Sequence, residues 1–282
     1  MRILVTGANG MLGRDLAEIL GGAGHTVSAT DLPEVDILDR RSCAEAVRGQ
    51  DWVVNAAAYT AVDAAESHEA LAFRVNALGP AVLGRAAHDA GARVVHISTD
   101  YVFAGTATSP YPEEADPDPR SAYGRTKAAG EWAVRAQAPN SIVVRTAWLY
   151  GSGGPNIAKT VARLAGERET LTFVDDQRGQ PTTTPDLARF VRDLIAVDAP
   201  AGFYHGTSEG ETTWYGFARA VLAQLGLDPS RVRPIRTEDY PLPAPRPAYS
   251  VLGHDRSRAL GIAPLPPWRE ALAANLAAVL AG

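Results

Sequence analysis

Short apolar runs alternate with longer stretches of helical periodicity through the first half of the chain. The apolar runs 3–6, 27–30, 52–54, 93–97 and 141–145 predict strands. The stretches at about 11–20, 42–48, 70–90 and 121–137 predict helices, with Ser42 as the N-cap of the second. Strands that alternate with helices in this way form a parallel sheet with right-handed crossovers. We therefore predict an α/β fold with a doubly wound parallel sheet.

The second half of the chain is more irregular, because prolines interrupt it at several positions and cluster between 241 and 247. Helices are predicted at 157–165, 185–195, 213–225 and 268–280. We expect residues 1–150 to form the sheet domain, joined by a return strand and helix from about 170–200. Residues 151–282 are expected to form mainly a smaller C-terminal lobe that binds substrate beside the sheet.

Composition narrows the class of protein. The 282 residues are 46% hydrophobic and 21% charged with a net charge of −5, which argues against a broad nucleic-acid-binding surface. No apolar run approaches the roughly 20 residues of a membrane span, and the first strand leaves no room for a signal peptide. Cys43 has no partner cysteine, and the 6 histidines show no zinc spacing, so we expect a cytoplasmic protein without a metal.

A glycine-rich turn separates the first predicted strand from the first predicted helix. Gly7, Gly10 and Gly13 have the spacing GxxGxxG. Such glycines allow a tight turn and let the backbone approach a pyrophosphate, while the helix N-terminus offers free amide donors. At this position the pattern indicates a dinucleotide site, and the sheet is then of the Rossmann type.

Two further segments fit the adenosine side of such a site. Asp31 ends the second strand, where a carboxylate accepts hydrogen bonds from ribose hydroxyls, although a solvated loop aspartate explains it as well. Asp31 favours NADH by repelling a 2′-phosphate, whereas Arg14, Arg40 and Arg41 could offset it, so the cofactor is NADPH or NADH. The small residues that follow Asn55 at the end of the third strand leave room for a flat ring.

Tyr123 and Lys127 are four residues apart at the start of a predicted helix, so their side chains share one face. A phenol has an ordinary pKa near 10, and a nearby ammonium group is expected to lower it. Tyr123 could then donate a proton to a carbonyl oxygen as hydride reaches the carbon. A YxxxK pair is common by chance, so the assignment depends on its surroundings.

The fourth strand ends in Ser98 and Thr99, and a hydroxyl at this position of a Rossmann sheet faces the cleft. Because side chains alternate along a strand, only one of the two points toward the cleft. Thr99 could polarise a substrate carbonyl, Ser98 is the other candidate, and a strand-end hydroxyl that caps local backbone is the ordinary alternative.

Taken together, several segments resemble the dTDP-4-dehydrorhamnose reductase family of the extended short-chain dehydrogenase/reductase superfamily. They are residues 55–63, 94–103, 123–131, 145–151, 176–183 and 246–250, and the most specific is the stretch Ser-Thr-Asp-Tyr-Val-Phe at 98–103. The resemblance runs nearly from end to end. It implies NAD(P)H-dependent reduction of the C4 keto group of a nucleotide-linked deoxysugar, most closely dTDP-4-dehydro-L-rhamnose.

The resemblance also implies roles for individual residues. Tyr123 donates the proton with Lys127 as its partner, and Thr99, Asp100, Tyr123, Trp148 and Arg246 contact the substrate. The implied cofactor residues are Gly7, Asn9, Gly10, Met11, Leu12, Gly13, Asp31, Asp36, Ile37, Ala57, Ala58, Tyr59, Thr60, Ile97, Tyr123 and Lys127. The ordinary alternatives are a core aromatic for Trp148, a turn cap for Asp100 and a surface ion pair for Arg246.

The chain departs from the family pattern at a few positions. Tyr59 stands where many relatives carry histidine, and Asp15 replaces the first of the glutamates that hold magnesium between subunits of some members. We therefore predict no structural metal, and both a homodimer and a monomer are compatible with the sequence. Rival functions are another nucleotide-sugar ketoreductase or epimerase of an antibiotic pathway, and a non-catalytic NADP-binding regulatory subunit. No glutamate follows Asp100, which disfavours a dehydratase.

Overall fold

The computed structural model describes residues 1–282 and contains twelve strands and eleven α-helices. The strands are β1 (Arg2–Thr6), β2 (Thr26–Thr30), β3 (Trp52–Asn55), β4 (Arg93–Thr99), β5 (Ile142–Thr146), β6 (Leu149–Tyr150), β7 (Leu171–Val174), β8 (Arg178–Gly179), β9 (Thr182–Thr183), β10 (Gly202–His205), β11 (Thr212–Thr213) and β12 (Val232–Ile235). The helices are α1 (Met11–Gly22), α2 (Arg40–Ala46), α3 (Val62–Ala65), α4 (Glu69–Phe73), α5 (Gly79–Asp89), α6 (Ala122–Gln137), α7 (Ile157–Glu167), α8 (Thr184–Ala196), α9 (Trp214–Gln224), α10 (Asp255–Ala259) and α11 (Trp268–Ala281).

Six strands form one parallel sheet in the order β10-β5-β4-β3-β1-β2. The chain moves from β1 outward to β2 and then crosses to β3 on the other side, so the strand order reverses between β1 and β3. In doubly wound sheets ligands bind beyond the carboxyl ends of the strands at such a reversal. The predicted doubly wound fold is confirmed.

The sixth strand comes from the second half of the chain. Helix α8 lies inside the stretch 170–200 that was expected to return to the sheet, and strand β10 follows it at Gly202–His205. Strand β7, which lies in the same stretch, pairs instead with β12, away from the main sheet. The pairs β6–β9 and β8–β11 are the other short ladders of the second half.

Two predicted helices differ in detail. Helix α2 begins before Ser42, and the capping side chain is that of Asp39, which accepts a hydrogen bond from the Ser42 amide at 2.8 Å. The stretch 70–90 is not one helix, because a π-helical turn, Arg74–Leu78, separates α4 from α5. Pro80 has no N–H for the carbonyl of Asn76 four residues earlier, so a regular α-helix is interrupted there.

The three largest of five hydrophobic clusters hold most of the elements together. One covers the sheet face beneath α1 and α8, with Leu16 and Leu187 fully buried in it. A second covers the opposite face beneath α2, α5 and α6 and includes Leu83 and Val134. The third is the core of the lobe, formed by α7, α9 and α11 around Phe217. Of all these helices, none is long and apolar enough to cross a membrane.

Candidate active site

The glycine turn after β1 is shaped by contacts that leave no room for side chains. Gly7 has φ +72°, and a Cβ there would lie 2.6 Å from the Ala57 nitrogen. A Cβ on Gly13 would lie 2.7 Å from the Ala8 Cα and would also meet the Gly7 carbonyl oxygen. Gly10 caps α1 without a side-chain hydrogen bond, and the first turn of α1 carries no acidic residue. The helix end therefore presents free amides and a positive dipole end to the cleft.

Asp31 is tied to this turn rather than lying free in a loop. Its two carboxylate oxygens accept hydrogen bonds from the amides of Asn9 at 2.9 Å and Leu32 at 2.8 Å. Arg14, on the first turns of α1, donates to the Asn9 carbonyl at 3.1 Å. The acid at the end of β2 thus braces the glycine turn, at the position expected for contact with a ribose.

The other expected cofactor residues have different environments. Leu12 and Ile97 are buried in the core beneath α1, and the side chain of Ile37 packs in the core on the other face, against Gly79. Asp36 accepts a hydrogen bond from the Leu38 amide at 2.9 Å. Leu12, Ile37 and Ile97 can therefore offer a ligand their backbone rather than their side chains.

The segment after β3 is clamped by Asn76, a residue that the sequence analysis did not single out. The Asn76 side chain is fully buried in the π-helical turn, where it accepts from the Tyr59 amide at 2.8 Å and donates to the Tyr59 carbonyl at 3.0 Å. It also lies 3.1 Å from the hydroxyl of Thr126 on α6. One amide thus connects the loop of Ala57, Ala58, Tyr59 and Thr60 to the helix that carries Tyr123.

Thr99, Asp100 and Tyr123 come together where β4 ends. The Thr99 hydroxyl donates to the Asp100 carboxylate at 3.0 Å, and its closeness to the Tyr123 phenol acts to lower the pKa of that phenol. Asp100 is 1% exposed, and burial raises its pKa to about 6, although the Ser250 and Thr99 hydroxyls beside it act in the opposite direction. The structure therefore brings the predicted substrate residues and the predicted proton donor to one point.

Ser98, the alternative to Thr99, points to the other side of the strand. Its hydroxyl donates to the Glu131 carboxylate at 2.6 Å, and Glu131 also binds Arg145 through two hydrogen bonds of 2.9 and 2.8 Å. Glu131 and Arg145 are 0% and 1% exposed, so this ion pair is fully buried under α6. The alternation of side chains along β4 thus assigns Thr99 to the cleft and Ser98 to a structural network.

Sequence reasoning missed Glu131, although a signal was present. Glu131 is the third polar residue at a spacing of four on α6, after Tyr123 and Lys127, and so lies on the same helix face. Polar residues that repeat along the buried face of a helix indicate a network inside the protein. No comparable local signal marks Arg145 or Asn76.

Lys127 does not lower the pKa of Tyr123 as expected. Burial raises the pKa of Tyr123 to about 12, and the nearby Asp100 carboxylate acts in the same direction. The Lys127 ammonium group donates instead to the Ile97 carbonyl at 2.6 Å. Burial lowers the pKa of Lys127 itself to about 8, and the Glu131 carboxylate opposes this change. The lysine is thus a buried cation held against the end of β4.

Trp148 follows β5 with a backbone that is unusual for a residue with a side chain. Its φ is +48°, and its indole stacks on that of Trp214 with the ring centres 3.5 Å apart and the planes 9° from parallel. Positive φ at a bulky residue is strained, and such strain often occurs at functional sites. Trp214 had not been predicted from the sequence.

Arg246 anchors the proline-rich segment to the sheet domain. Its guanidinium group donates to the Asp63 carboxylate at 2.8 Å and to the Ala244 carbonyl at 2.8 Å. This pairing lowers the pKa of Asp63. The positive charge of Arg246 also acts on the phenol of Tyr101, which packs edge-on against Tyr123. The arginine is therefore beside the cleft rather than on a remote surface.

Asp15, the residue at the position of a magnesium ligand in some relatives, lies between α1 and α8. Its carboxyl group is near Thr184 and Arg189, and burial raises its pKa. No group of three His, Cys, Asp or Glu residues in the structure could hold a metal ion.

Comparison with known proteins agrees with this geometry. Residues 1–281 match the family model of the RmlD substrate binding domain. The chain belongs to this family. Its RmlD-family relatives include a Streptomyces griseus protein named dTDP-4-dehydrorhamnose reductase, which is 47% identical over 99% of this chain and 94% of its own length. A Streptomyces niveus protein named dTDP-4-keto-6-deoxy-D-glucose reductase is also 47% identical, over 96% of this chain and 95% of its own length.

Solved RmlD-family structures have the same fold over almost the whole chain. A dTDP-4-dehydrorhamnose reductase from Clostridium acetobutylicum has a TM-score of 0.95 and 41% identity, and the match covers 98% of this chain and 99% of that one. The Bacillus anthracis reductase in complex with NADP has a TM-score of 0.93 and 36% identity, with 98% of each chain covered. The resemblance inferred from the motifs is confirmed.

Proposed function

We propose that this protein is an NAD(P)H-dependent reductase of the C4 keto group of a dTDP-linked deoxysugar, and that its substrate is dTDP-4-dehydro-L-rhamnose. The observation that carries the proposal is the placement of Thr99 beside Tyr123 at the end of β4, with Lys127 bound to the Ile97 carbonyl of the same strand, in a nucleotide-binding fold with a glycine turn. Family members of similar identity that are named for this reaction support the choice of substrate.

The glycine turn fits a dinucleotide. The backbone of Gly7 and Gly13 is so close to its neighbours that side chains are excluded, and the N-terminus of α1 is free of acidic groups. Gly10, Met11 and Leu12 would hold the pyrophosphate through their amides, and Asp31 would accept hydrogen bonds from the adenosine ribose. When bound, NAD(P)H supplies the hydride for the ketone carbon.

The residues of the chain supply the proton and the polarisation. Because the pKa of Tyr123 is raised to about 12, its phenol is protonated at neutral pH and can donate to the C4 oxygen as negative charge develops there. Thr99 can hydrogen-bond the sugar oxygen and polarise the ketone, and Lys127, held at the end of β4, would hydrogen-bond the ribose of the nicotinamide. Arg246, beside Tyr101, would bind the diphosphate of the substrate.

A second candidate substrate has specific support. The relative named dTDP-4-keto-6-deoxy-D-glucose reductase is as similar to this chain as the relative named dTDP-4-dehydrorhamnose reductase. The two sugars differ in configuration while the reacting ketone is the same. Both relatives are therefore named for C4 ketoreduction, and an assay must decide which of the two sugars this protein reduces.

The test is a spectrophotometric assay of NADPH and NADH oxidation with purified protein and a panel of dTDP- and UDP-linked 4-keto sugars. We expect turnover to be fastest with dTDP-4-dehydro-L-rhamnose and Tyr123→Phe to reduce kcat by about 10²–10⁴-fold with little change in NADPH binding. Tyr101→Phe is the matched control, since it removes a neighbouring phenol and should keep kcat within about tenfold.

The outcomes separate the rival functions. Near-normal turnover by Tyr123→Phe would refute the assignment of the proton donor. Tight NADPH binding without oxidation by any sugar nucleotide would favour the non-catalytic regulatory subunit instead. Faster turnover with dTDP-4-keto-6-deoxy-D-glucose than with dTDP-4-dehydro-L-rhamnose would keep the proposed C4 ketoreduction and change the proposed substrate.

A further inference from the structure

Trp148 and Trp214 form a stacked pair between the sheet domain and the lobe. The two indoles are nearly parallel, at 9°, with their ring centres 3.5 Å apart. Trp148 belongs to the segment that leaves β5, while Trp214 is the first residue of α9 in the lobe. The positions are 66 residues apart in sequence (148 and 214), so the stack exists only in the folded chain.

Trp214 is the fixed member of this pair. Its indole N–H donates to the Gln177 side chain at 3.1 Å, and Gln177 in turn donates to the Thr237 hydroxyl at 3.0 Å. The Thr213 hydroxyl caps α9 by accepting from the Gly216 amide at 3.0 Å and donates to Asp175 at 2.6 Å. Helix α9 is also packed into the lobe core, so Trp214 sits on a rigid support.

Trp148, by contrast, has a strained backbone that its own segment does not favour. A tryptophan with φ +48° persists only where surrounding contacts hold it. Besides the stack, those contacts are the Thr182 amide, which donates to the Trp148 carbonyl at 3.3 Å, and Gly179. A Cβ on Gly179 would lie 2.5 Å from the Trp148 ring, so only glycine leaves room for the indole there.

The pair lies close to the reacting groups. Thr146 is paired with Thr99 in the sheet, which places Trp148 just beyond the same edge where Thr99 ends β4. The contact of Trp148 with Gly179 adjoins Arg178, whose carbonyl accepts the Ser250 amide at 2.8 Å. The Ser250 hydroxyl is beside the buried Asp100 carboxyl group. A short chain of contacts thus leads from the indole stack to the predicted sugar site.

We propose that Trp214 is a positioning residue for the sugar: it fixes the plane of the Trp148 indole, which forms one wall of the pyranose subsite. This proposal rests on the proposed function, which puts a sugar nucleotide in the cleft. A deoxysugar presents C–H groups to its surroundings, and an aromatic face packs well against them. Trp214 does not contact the substrate in this proposal but determines where Trp148 can do so.

The first test is steady-state kinetics of Trp214 variants with dTDP-4-dehydro-L-rhamnose. Loss of an aromatic contact corresponds to a roughly 3- to 10-fold change in affinity, so Trp214→Ala should raise the KM for the sugar nucleotide by about that factor. We expect kcat to stay within about twofold and the KM for NADPH to be unchanged. Trp214→Phe keeps a ring that can stack and should restore most of the sugar KM.

The second test detects the stack without substrate. Near-ultraviolet circular dichroism reports indoles held in an asymmetric environment, so the single variants Trp148→Phe and Trp214→Phe should each remove more signal than one independent indole. The double variant should then lose less than the sum of the two single losses. Trp132→Phe is the matched control, because Trp132 is 60% exposed and should contribute additively.

The outcomes distinguish the inference from the function on which it rests. A sugar KM within twofold of wild type in Trp214→Ala, or additive dichroism of the two variants, overturns the positioning role. If Trp214→Ala does not fold, Trp214→Leu replaces it, since leucine fills part of the volume without a ring. If the wild-type protein reduces no sugar nucleotide while the dichroism is non-additive, the Trp148–Trp214 stack forms but the proposed reductase function is wrong, and the positioning role falls with it.

Discussion

Removing the buried carboxylate of Glu131 tests how the catalytic helix is held on the sheet. Glu131 accepts three hydrogen bonds, one of 2.6 Å from Ser98 and two, of 2.9 and 2.8 Å, from Arg145. Apart from Glu131, Arg145 contacts the Glu113 carbonyl at 3.2 Å and the faces of Phe103 and Phe203. In Glu131→Gln the side chain keeps its shape and loses its charge, so the guanidinium group stays buried without a counter-ion.

The size of the effect follows from burial. Both members of the pair are at most 1% exposed, and breaking a buried ion pair by removing one partner costs about 3–5 kcal/mol. An exposed pair is worth only about 0–1 kcal/mol. We therefore expect Glu131→Gln to lower the free energy of unfolding by about 3–5 kcal/mol, a large share of the roughly 5–15 kcal/mol typical of a folded domain.

The measurement is urea unfolding followed by circular dichroism, with two further variants. Glu131→Gln combined with Arg145→Met removes both charges and should regain at least half of the lost stability, because a buried pair and an apolar substitute are often nearly equivalent. Glu167→Gln is the surface control: Glu167 pairs with Arg163 at 2.7 Å, and both are at least 50% exposed. A loss below about 1 kcal/mol in Glu131→Gln would show that the pair does not compensate buried charge.

Three further predictions concern the turn, the lysine and the aspartate. Gly13→Ala should abolish NADPH binding in a fluorescence titration, because its Cβ would lie 2.7 Å from the Ala8 Cα. Gly22→Ala is the control and should bind NADPH normally, since a Cβ there meets no neighbouring atom within 4 Å. NADPH binding by Gly13→Ala would contradict the role of the glycine turn. Burial lowers the pKa of Lys127 to about 8, so kcat/KM should fall as the pH rises through about 8, and a flat profile to pH 10 would refute the need for its cation. Burial raises the pKa of Asp100 from 3.8 to about 6, which at about 1.4 kcal/mol per unit makes the ionised form cost about 3 kcal/mol at pH 7. Asp100→Asn should therefore unfold at a higher temperature than wild type at pH 7 and turn over more slowly. The gain in stability should disappear below about pH 4, where Asp100 becomes protonated in the folded and the unfolded wild-type protein. Equal stability of the two proteins at pH 7 would contradict a buried charge on Asp100.

The parts of the fold that were predicted correctly depend on local pattern. The strand that ends in Thr99 contains the apolar residues Val94, Val95 and Ile97, and helix α6 begins where Ser121 accepts from the Gly124 amide at 3.0 Å. The glycine turn needs only its own spacing and its place between a strand and a helix. The neighbours of such features along the chain determine them, so the sequence alone indicates them.

The parts that were missed depend on residues far apart in the chain. The Asn76 side chain connects residues 17 and 50 positions away, and the Trp148 stack joins residues that no local pattern relates. The broken helix between α4 and α5 could have been anticipated at Pro80, but the identity of the partner that the freed turn would bind could not. Where tertiary packing selects the partner, residue type and spacing give no ranking among candidates.

The raised pKa of Tyr123 changes the argument for the Tyr–Lys pair. A proton donor must hold its proton at neutral pH and release it to a stronger base, and an alkoxide is a far stronger base than a phenolate with a pKa of about 12. Lowering the pKa beforehand would leave part of the phenol without the proton it has to give. Burial raises the pKa of the phenol and the neighbouring Thr99 hydroxyl lowers it, while the Lys127 ammonium group donates to the Ile97 carbonyl instead. The pairing of Tyr123 with Lys127 stays a prediction, and the protonation of the phenol follows from its burial rather than from the lysine.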